Sequence, residues 1–353
     1  MGLKIYNMAY IGFGGMASHH FNQSKELDRI NVKGIFDINP ERAEFAKSEG
    51  LKAYSSRQEI YDDDEIDLVL IAVPNHLHKQ FAIEALRAGK HVLCEKPVTI
   101  TSDDLIEIMA VAKETGKIFA IDQNRRVNKD FIAMKRAVEA GLLGDVYRIE
   151  SRVEGSRGVP AGWRTDPAQG GGMMLDWGVH LIDQLMYMYD SKVVEVNCRM
   201  WSINYPDVDD NFHLTLGFEN GLTAYIEVAT NNFISHPRWY VLGKDGTLQI
   251  DGWEACGRVV RCKTREDNWG AEIKKNKVGP SKTMAPRSEG SVEVIDITAP
   301  EDVVDNLNPV YWQLIDTMDG TAPLKITPEQ ALRVVKVMEA AFESKGDTIH
   351  TNI

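Results

Sequence analysis

A histidine with a carboxylate one helical turn away suits proton transfer at neutral pH, and this chain carries such a pair. In Gly170-Gly171-Gly172-Met173-Met174-Leu175-Asp176-Trp177-Gly178-Val179-His180, three glycines lead into a stretch, 175–188, that reads as helix. Asp176 and His180 then share a face one turn apart, while Leu175, Val179 and Ile182 fall on another stripe. A carboxylate there orients an imidazole and raises its basicity. The same residue types also describe a satisfied core histidine beside a first-turn acid, and types alone do not separate the two readings.

A cation is available in Leu93-Cys94-Glu95-Lys96-Pro97. It follows a short apolar run that reads as a parallel strand, and open α/β sheets bind ligands at the C-terminal ends of their strands. Pro97 holds Lys96 in extended backbone and admits a cis bond. Taken alone, Lys96 reads equally well as a surface ion-pair partner. A third feature is Gly12-Phe13-Gly14-Gly15-Met16-Ala17, a G-x-G-x-x-A turn. Its glycines let backbone N–H groups approach a pyrophosphate at a helix N-terminus, and small Ala17 lets helix and strand sit close. Asp37 ends the next strand. A carboxylate there accepts both hydroxyls of an adenosine ribose and repels a 2′-phosphate, so NAD is favoured and NADP is the lesser expectation. Arg42, in the following helix, either offsets that repulsion or faces solvent.

The elements that must position these groups read as follows. Tyr6–Ile11, Ile30–Phe36, 68–73, His91–Cys94 and 117–121 are apolar strand-like runs. Helical stretches separate them at 15–26, from Pro40, at 76–87 and at 103–114, the last with Ser102 as its expected N-cap and Gly116 as its stop. Such alternation predicts a doubly wound parallel sheet. After about Asn124 the rhythm changes. A helix is expected at 128–140, then alternating strands at Val146–Glu154, Val193–Trp201, 212–218 and 222–228, with Asn220-Gly221 as a hairpin turn. Another hairpin turns at Asp245-Gly246, and helices at 310–318 and 328–345 close the chain. The polar stretch 265–290 reads as a long hairpin or excursion. The expected fold is α/β: an N-terminal Rossmann domain (1–124) and an α+β domain (125–353) with a large, mainly antiparallel open sheet.

The 353 residues carry a net charge of −12. That argues against a nucleic-acid partner, which needs a basic footprint, and against an anionic membrane surface. It does not exclude a dinucleotide held by backbone amides. Cys94, Cys198, Cys256 and Cys262 have neither CxxC spacing nor a histidine cluster beside them, so no metal site is expected and reduced thiols are. No apolar run is long enough to span a bilayer, no signal-peptide pattern precedes the first strand, and a cytoplasmic location is expected.

These segments, with Pro74-Asn75 after the fourth strand, Gln123-Asn124-Arg125-Arg126 and Gly162-Trp163-Arg164-Thr165-Asp166, resemble the Gfo/Idh/MocA family, that of glucose–fructose oxidoreductase and inositol dehydrogenase. The order and spacing of the motifs match over nearly the whole chain. The resemblance implies that Lys96, Asp176 and His180 meet beside a nicotinamide. The histidine would take the proton of a sugar or polyol hydroxyl while the lysine holds the reacting oxygen, although either could be the formal base. It implies that Val73, Pro74, Asn75, His78 and Asn124 line the cofactor crevice, that Glu95 contacts the nicotinamide ribose, and that Trp163 and Arg164 reach the cofactor from the second domain. Arg125, Asn232 and His236 join Trp163 and the Lys96/Asp176/His180 set as substrate-site candidates. His19 and His20 receive no role. The implied activity is NAD-dependent oxidation of a secondary hydroxyl of a sugar, glycoside (at C3, to a 3-keto sugar) or cyclic polyol. The alternatives are a glycosidase that uses NAD transiently and a non-catalytic NAD-binding regulator. Association as a dimer or tetramer through the second sheet is also implied.

Overall fold

The computed structural model describes residues 3–264, 270, 272–283 and 287–353. The first part alternates as the apolar runs require: β1 (Tyr6–Ile11), α1 (Gly15–Ser24), β2 (Ile30–Phe36), α2 (Pro40–Ser48), β3 (Lys52–Ala53), α3 (Arg57–Tyr61), β4 (Leu68–Ile71), α4 (His78–Arg87), β5 (His91–Cys94), α5 (Ser102–Thr115) and β6 (Phe119–Ile121). The six strands form one parallel sheet in the order β3-β2-β1-β4-β5-β6. Every residue of β4 is buried, as a strand covered on both faces must be. Side chains alternate between two cores. Ala9, Ile11, Val69, Ile71 and Val92 face α4 and α5, whereas Met8, Tyr10, Leu68, Leu70 and Leu93 face α1. The N-cap of α5 is Thr101, one residue before the expected Ser102. Its hydroxyl accepts the Asp104 N–H at 3.3 Å, and Ser102 is already helical. At the other end Gly116 takes φ +65°, the left-handed stop a glycine permits.

The second part contains α6 (Lys129–Glu139), β7 (Val146–Glu154), α7 (Val179–Met188), β8 (Val193–Trp201), β9 (Asn211–Phe218), β10 (Thr223–Ala229), β11 (Trp239–Gly243), β12 (Gly246–Ile250), β13 (Gly257–Cys262), β14 (Glu272–Asn276), β15 (Gly279–Thr283), β16 (Val292–Ile297), α8 (Asn308–Met318), α9 (Pro328–Ser344) and β17 (Thr348–His350). Nine of these strands form one sheet, β16-β13-β12-β11-β7-β10-β9-β8-β17. All its pairs are antiparallel except β7 with β10. That exception follows from the crossover: the chain leaves β7, forms α7 beneath the sheet and returns through β8 and β9. Asn220-Gly221 makes the β9–β10 turn, with Gly221 at φ +87°. Phe212, Leu214, Leu216, Ala224, Ile226 and Val228 point inward, where α7 and α9 also contribute to the core. Within 265–290, residues 272–283 form a β14–β15 hairpin whose first strand is exposed. Residues 265–269, 271 and 284–286 of that expectation lie outside the described residues.

Helix α8 returns to the first sheet. Leu307, Val310, Tyr311, Leu314 and Ile315 join the apolar cluster of Tyr6, Met8 and Tyr10, so the last part of the chain helps to cover the N-terminal sheet. Among the described residues no helix is long and apolar enough to cross a membrane.

Candidate active site

At the C-terminal ends of β1, β4 and β5 a cleft of about 720 Å³ opens between the two sheets. This is the place and the size range of a small-molecule or cofactor site. Its floor begins at the glycine turn. Gly12 has φ +83°, and a Cβ there would lie 2.3 Å from the Ala72 carbonyl oxygen, so only glycine lets the two loops meet. A Cβ at Gly14 or Gly15 would meet nothing within 4 Å. Those residues present bare backbone to the cleft at the N-terminus of α1. Asp37 lines the same end. One of its oxygens accepts the Phe13 N–H at 2.6 Å and the other the Asn39 N–H at 2.8 Å, which fixes the carboxylate against the turn and leaves lone pairs facing the cleft.

At the other end the chain enters α7 through a π-helical turn, Met174–Gly178. Such turns re-aim side chains at functional sites. Asp209 anchors it. Its carboxylate fits where a Cβ on Gly172 would lie (2.1 Å) and accepts the Met174 N–H at 2.6 Å. Burial pushes this carboxyl up to about 7. The turn brings Asp176, Trp177 and His180 to the cleft wall together. Opposite them Lys96, at the cis Lys96–Pro97 bond, donates from Nζ to the Asp176 main-chain oxygen at 2.8 Å and to its Oδ1 at 3.1 Å. Arg164 donates from Nε to Asp176 Oδ2 at 2.9 Å. Burial works to raise the Asp176 pKa, but these two cations outweigh it and hold the carboxylate below its usual range.

The expected Asp176–His180 pairing is therefore replaced. Two cations occupy the carboxylate, and His180 Nδ1 is buried with no protein hydrogen-bond partner. Burial, then the charges of Lys96, Arg125 and Arg238, push the imidazole well below 6.5, where sequence reasoning expected a raised basicity. His180 is therefore neutral at pH 7 and keeps one unprotonated ring nitrogen as an acceptor. Trp177 meets its ring edge-on with centroids 5.8 Å apart, and the Arg125 guanidinium lies over Trp177 at 4.9 Å. Next to this, Arg126 and Asp183 form a buried two-pronged pair, at 2.7 and 2.6 Å, that fixes α7 to the segment after β6.

Of the residues expected at the cofactor, Gly12, Gly14, Gly15, Met16, Asp37, Val73, Pro74, Asn75, Glu95, Lys96, Asn124, Trp163 and Arg164 line this one cleft, as does Arg125. Asn75 reaches across to the second part through its amide, which donates to the Gly170 carbonyl at 2.8 Å. Phe13 and Ala17 are fully buried in the core beneath the turn, so only their backbone can serve a ligand. His78 is also fully buried. Its ring nitrogens lie 2.9 Å from the Pro97 and Val73 carbonyl oxygens, and the one N–H of the neutral ring donates to one of them, the ring packing behind the two cleft loops. Arg42, Asn232 and His236 are not in the wall. His236 instead pairs with Glu154 at 2.9 Å, and Asn232 Oδ1 accepts the Ile234 N–H at 3.0 Å. Trp177, between Asp176 and His180 in the glycine-led segment, also lines the cleft, although its residue type alone marks it only as an apolar position. Arg57 and the 305–307 segment line it as well, and no local pattern marks them. Arg57 lies over the Phe81 ring at 3.9 Å.

Residues 6–123 match the model of the oxidoreductase family with an NAD-binding Rossmann fold, and residues 131–249 match the GFO/IDH/MocA C-terminal domain. The chain belongs to the GFO/IDH/MocA family. Membership makes it an oxidoreductase with a nicotinamide cofactor, and the glycine turn with its open backbone fits that group. Among family relatives, the scyllo-inositol 2-dehydrogenase (NADP(+)) IolW of Bacillus subtilis is 29% identical over 91% of this chain and 89% of its own. The 1,5-anhydro-D-fructose reductase of Ensifer adhaerens is 30% identical over 62% of this chain and 67% of its own. A crystal structure of an NAD-binding protein from Listeria innocua superposes with a TM-score of 0.93 at 42% identity, covering 99% of this chain and 100% of that one.

Proposed function

We propose that this oxidoreductase removes hydride from a secondary hydroxyl of a sugar, glycoside or cyclic polyol, with NAD as acceptor. Supporting the reading is one observation: a neutral His180, whose Nδ1 has no protein hydrogen-bond partner, and the Lys96 ammonium share a cleft whose far end is the glycine turn and Asp37. The dinucleotide, when bound, supplies the hydride acceptor. Gly12, Gly14, Gly15 and the α1 N-terminus would hold its pyrophosphate, and Asp37 its adenosine ribose. Two of the three Lys96 N–H bonds are directed at Asp176, which leaves the third for the reacting oxygen. A cation there stabilises developing alkoxide charge. His180 accepts the hydroxyl proton, since Lys96 is already charged in its ion pair. Trp163, Trp177 and Arg125 bound the space left for the rest of the substrate.

A glycoside oxidised at C3 is the finer version of this proposal. A panel of inositols, free sugars and glycosides with NAD tests it, read by nicotinamide absorbance. Reduction with one of them is the expected result. No reduction with any, by protein that binds NAD, contradicts it. Aglycone release without reduced dinucleotide would point to the glycosidase chemistry instead.

NAD over NADP rests on Asp37. Changing Asp37→Ser removes charge-assisted hydrogen bonds of about 1.5–3 kcal/mol, so the KM for NAD is expected to rise roughly 10- to 150-fold while that for NADP falls. An unchanged ratio of the two KM values would remove Asp37 as the selector. We further propose association through the outer face of the nine-stranded sheet, which no helix of the described residues covers and where His213 stacks on Tyr225 and Arg152 pairs with Glu227. Light scattering that reads a monomer would count against it.

A further inference from the structure

His20, on the inward side of α1, lies outside the cleft and is completely buried. An ionisable ring in that position needs partners for its nitrogens, and both have them. Nδ1 is 2.7 Å from the Tyr311 hydroxyl on α8. Nε2 is 2.9 Å from Glu95 Oε1, just past β5, and 3.3 Å from Asp122 Oδ2, just past β6. Glu95 and Asp122 are themselves buried. Their carboxylates converge on one ring, all three ligand-capable atoms lying within 4.8 Å of one another. Two such acids repel each other in a low-dielectric interior unless a cation stands between them, and His20 is the group placed there that can carry one. Tyr10 on β1 lies next to Tyr311 and brings no cation. Burial opposes charge on His20, but the hydrogen bonds and charges of Asp122 and Glu95 outweigh it and push the ring up to about 9.

Glu95 has a second contact. Its Oε2 accepts the backbone N–H of Lys96 at 3.2 Å. One carboxylate thus joins His20 to the residue whose ammonium meets Asp176.

We propose that His20 is a positioning residue for Lys96: as a buried imidazolium it clamps the Glu95 carboxylate, and Glu95 in turn sets the Lys96 backbone from which the ammonium reaches the reacting oxygen. This rests on the reading of Lys96 given under the proposed function. Loss of the clamp frees Glu95 to turn toward water in the cleft and lets the lysine drift, and displacements of about 1 Å at a reacting group cost roughly 100-fold in rate.

The test uses the full chain carrying His20→Gln, with two readouts. The first is thermal stability of the dinucleotide-free protein against pH. The folded pKa of His20 is raised above its unfolded value. Its stabilisation is therefore complete below about 6.5 and is lost as pH rises through about 9. Wild-type Tm should fall across that window, and the variant should be flatter there. The second is kcat against dinucleotide Kd. With the Gly12–Ala17 turn intact, kcat should fall about 10- to 100-fold, a larger fold-change than the one in Kd for NAD that release of Glu95 into the cleft brings.

A flattened stability profile with unchanged kcat would leave His20 as a structural counter-ion only and overturn the proposal. So would a profile identical to wild type. If His20→Gln does not fold, Glu95→Gln removes the charge His20 pairs with but keeps an oxygen for the Lys96 N–H. The wild-type fall in Tm should then shift to lower pH, because one of the two carboxylates that raise His20 is gone, and no shift would overturn the clamp. Inactive wild-type protein would sink the oxidation reading, whereas the stability profile of the dinucleotide-free protein bears on the clamp alone.

Discussion

Replacing His180 with alanine is expected to lower kcat for polyol oxidation by about 10²- to 10⁴-fold, the usual weight of a general base, with Kd for NAD little changed. The reason is positional. His180 is buried at the cleft wall, has a ring nitrogen without a partner, and is held neutral by burial and by the charges of Lys96, Arg125 and Arg238. The sign of the pH dependence follows. A base pushed well below 6.5 keeps its acceptor form down to that lower pKa. Wild-type kcat/KM should therefore stay level as pH drops through 6.5 and fall only in more acid solution. Asp209, which anchors the turn and titrates at about 7, is the other group that could shape this limb, so the profile is read in Asp209→Asn as well. An acid limb centred at 6.5 that persists in that variant would mean that the protein around His180 does not depress it. Full activity in His180→Ala would remove it from the chemistry.

Lys96→Met should cost a similar amount, about 10²- to 10³-fold in kcat, the range for removing one donor to a developing oxyanion. The variant is expected to fold, because Asp176 keeps Arg164 at 2.9 Å and so retains a cation beside its buried carboxylate. Lys96→Arg should recover little, since a planar guanidinium cannot aim one donor into the cleft while holding both the Asp176 carbonyl and carboxylate. The Lys96→Met/His180→Ala double variant should be scarcely worse than either single one, as residues that act as a unit are not additive. Additive losses would mean that the two groups serve separate steps.

Much of this was legible in the residues because the relevant signals are local. The G-x-G-x-x-A turn, the fully apolar β4 and the Asn220-Gly221 hairpin depend on neighbours a few positions away, and each lies where its pattern put it. The partnership of Asp176 was not legible. Asp176 and His180 both line the cleft wall, but through a π turn rather than the expected α-helical spacing, and Lys96 and Arg164 arrive from elsewhere in the chain and outcompete the imidazole for the carboxylate. Nor could periodicity reveal that the segment opens as a π turn held by Asp209. The same holds for His20. Beside the glycine turn it looks like any helix residue, and only the packing of α8 with the ends of β5 and β6 gives it Tyr311, Glu95 and Asp122 as partners.

The most direct test is isotopic. Wild-type protein is given NAD and a polyol or glycoside deuterated at its carbinol carbons, and the reduced dinucleotide is weighed by mass spectrometry. One deuterium per reduced nicotinamide, absent from His180→Ala over the same interval, is the expected result. Reduced dinucleotide without label, or no reduced dinucleotide from any labelled substrate, would contradict hydride removal from a secondary hydroxyl in this cleft.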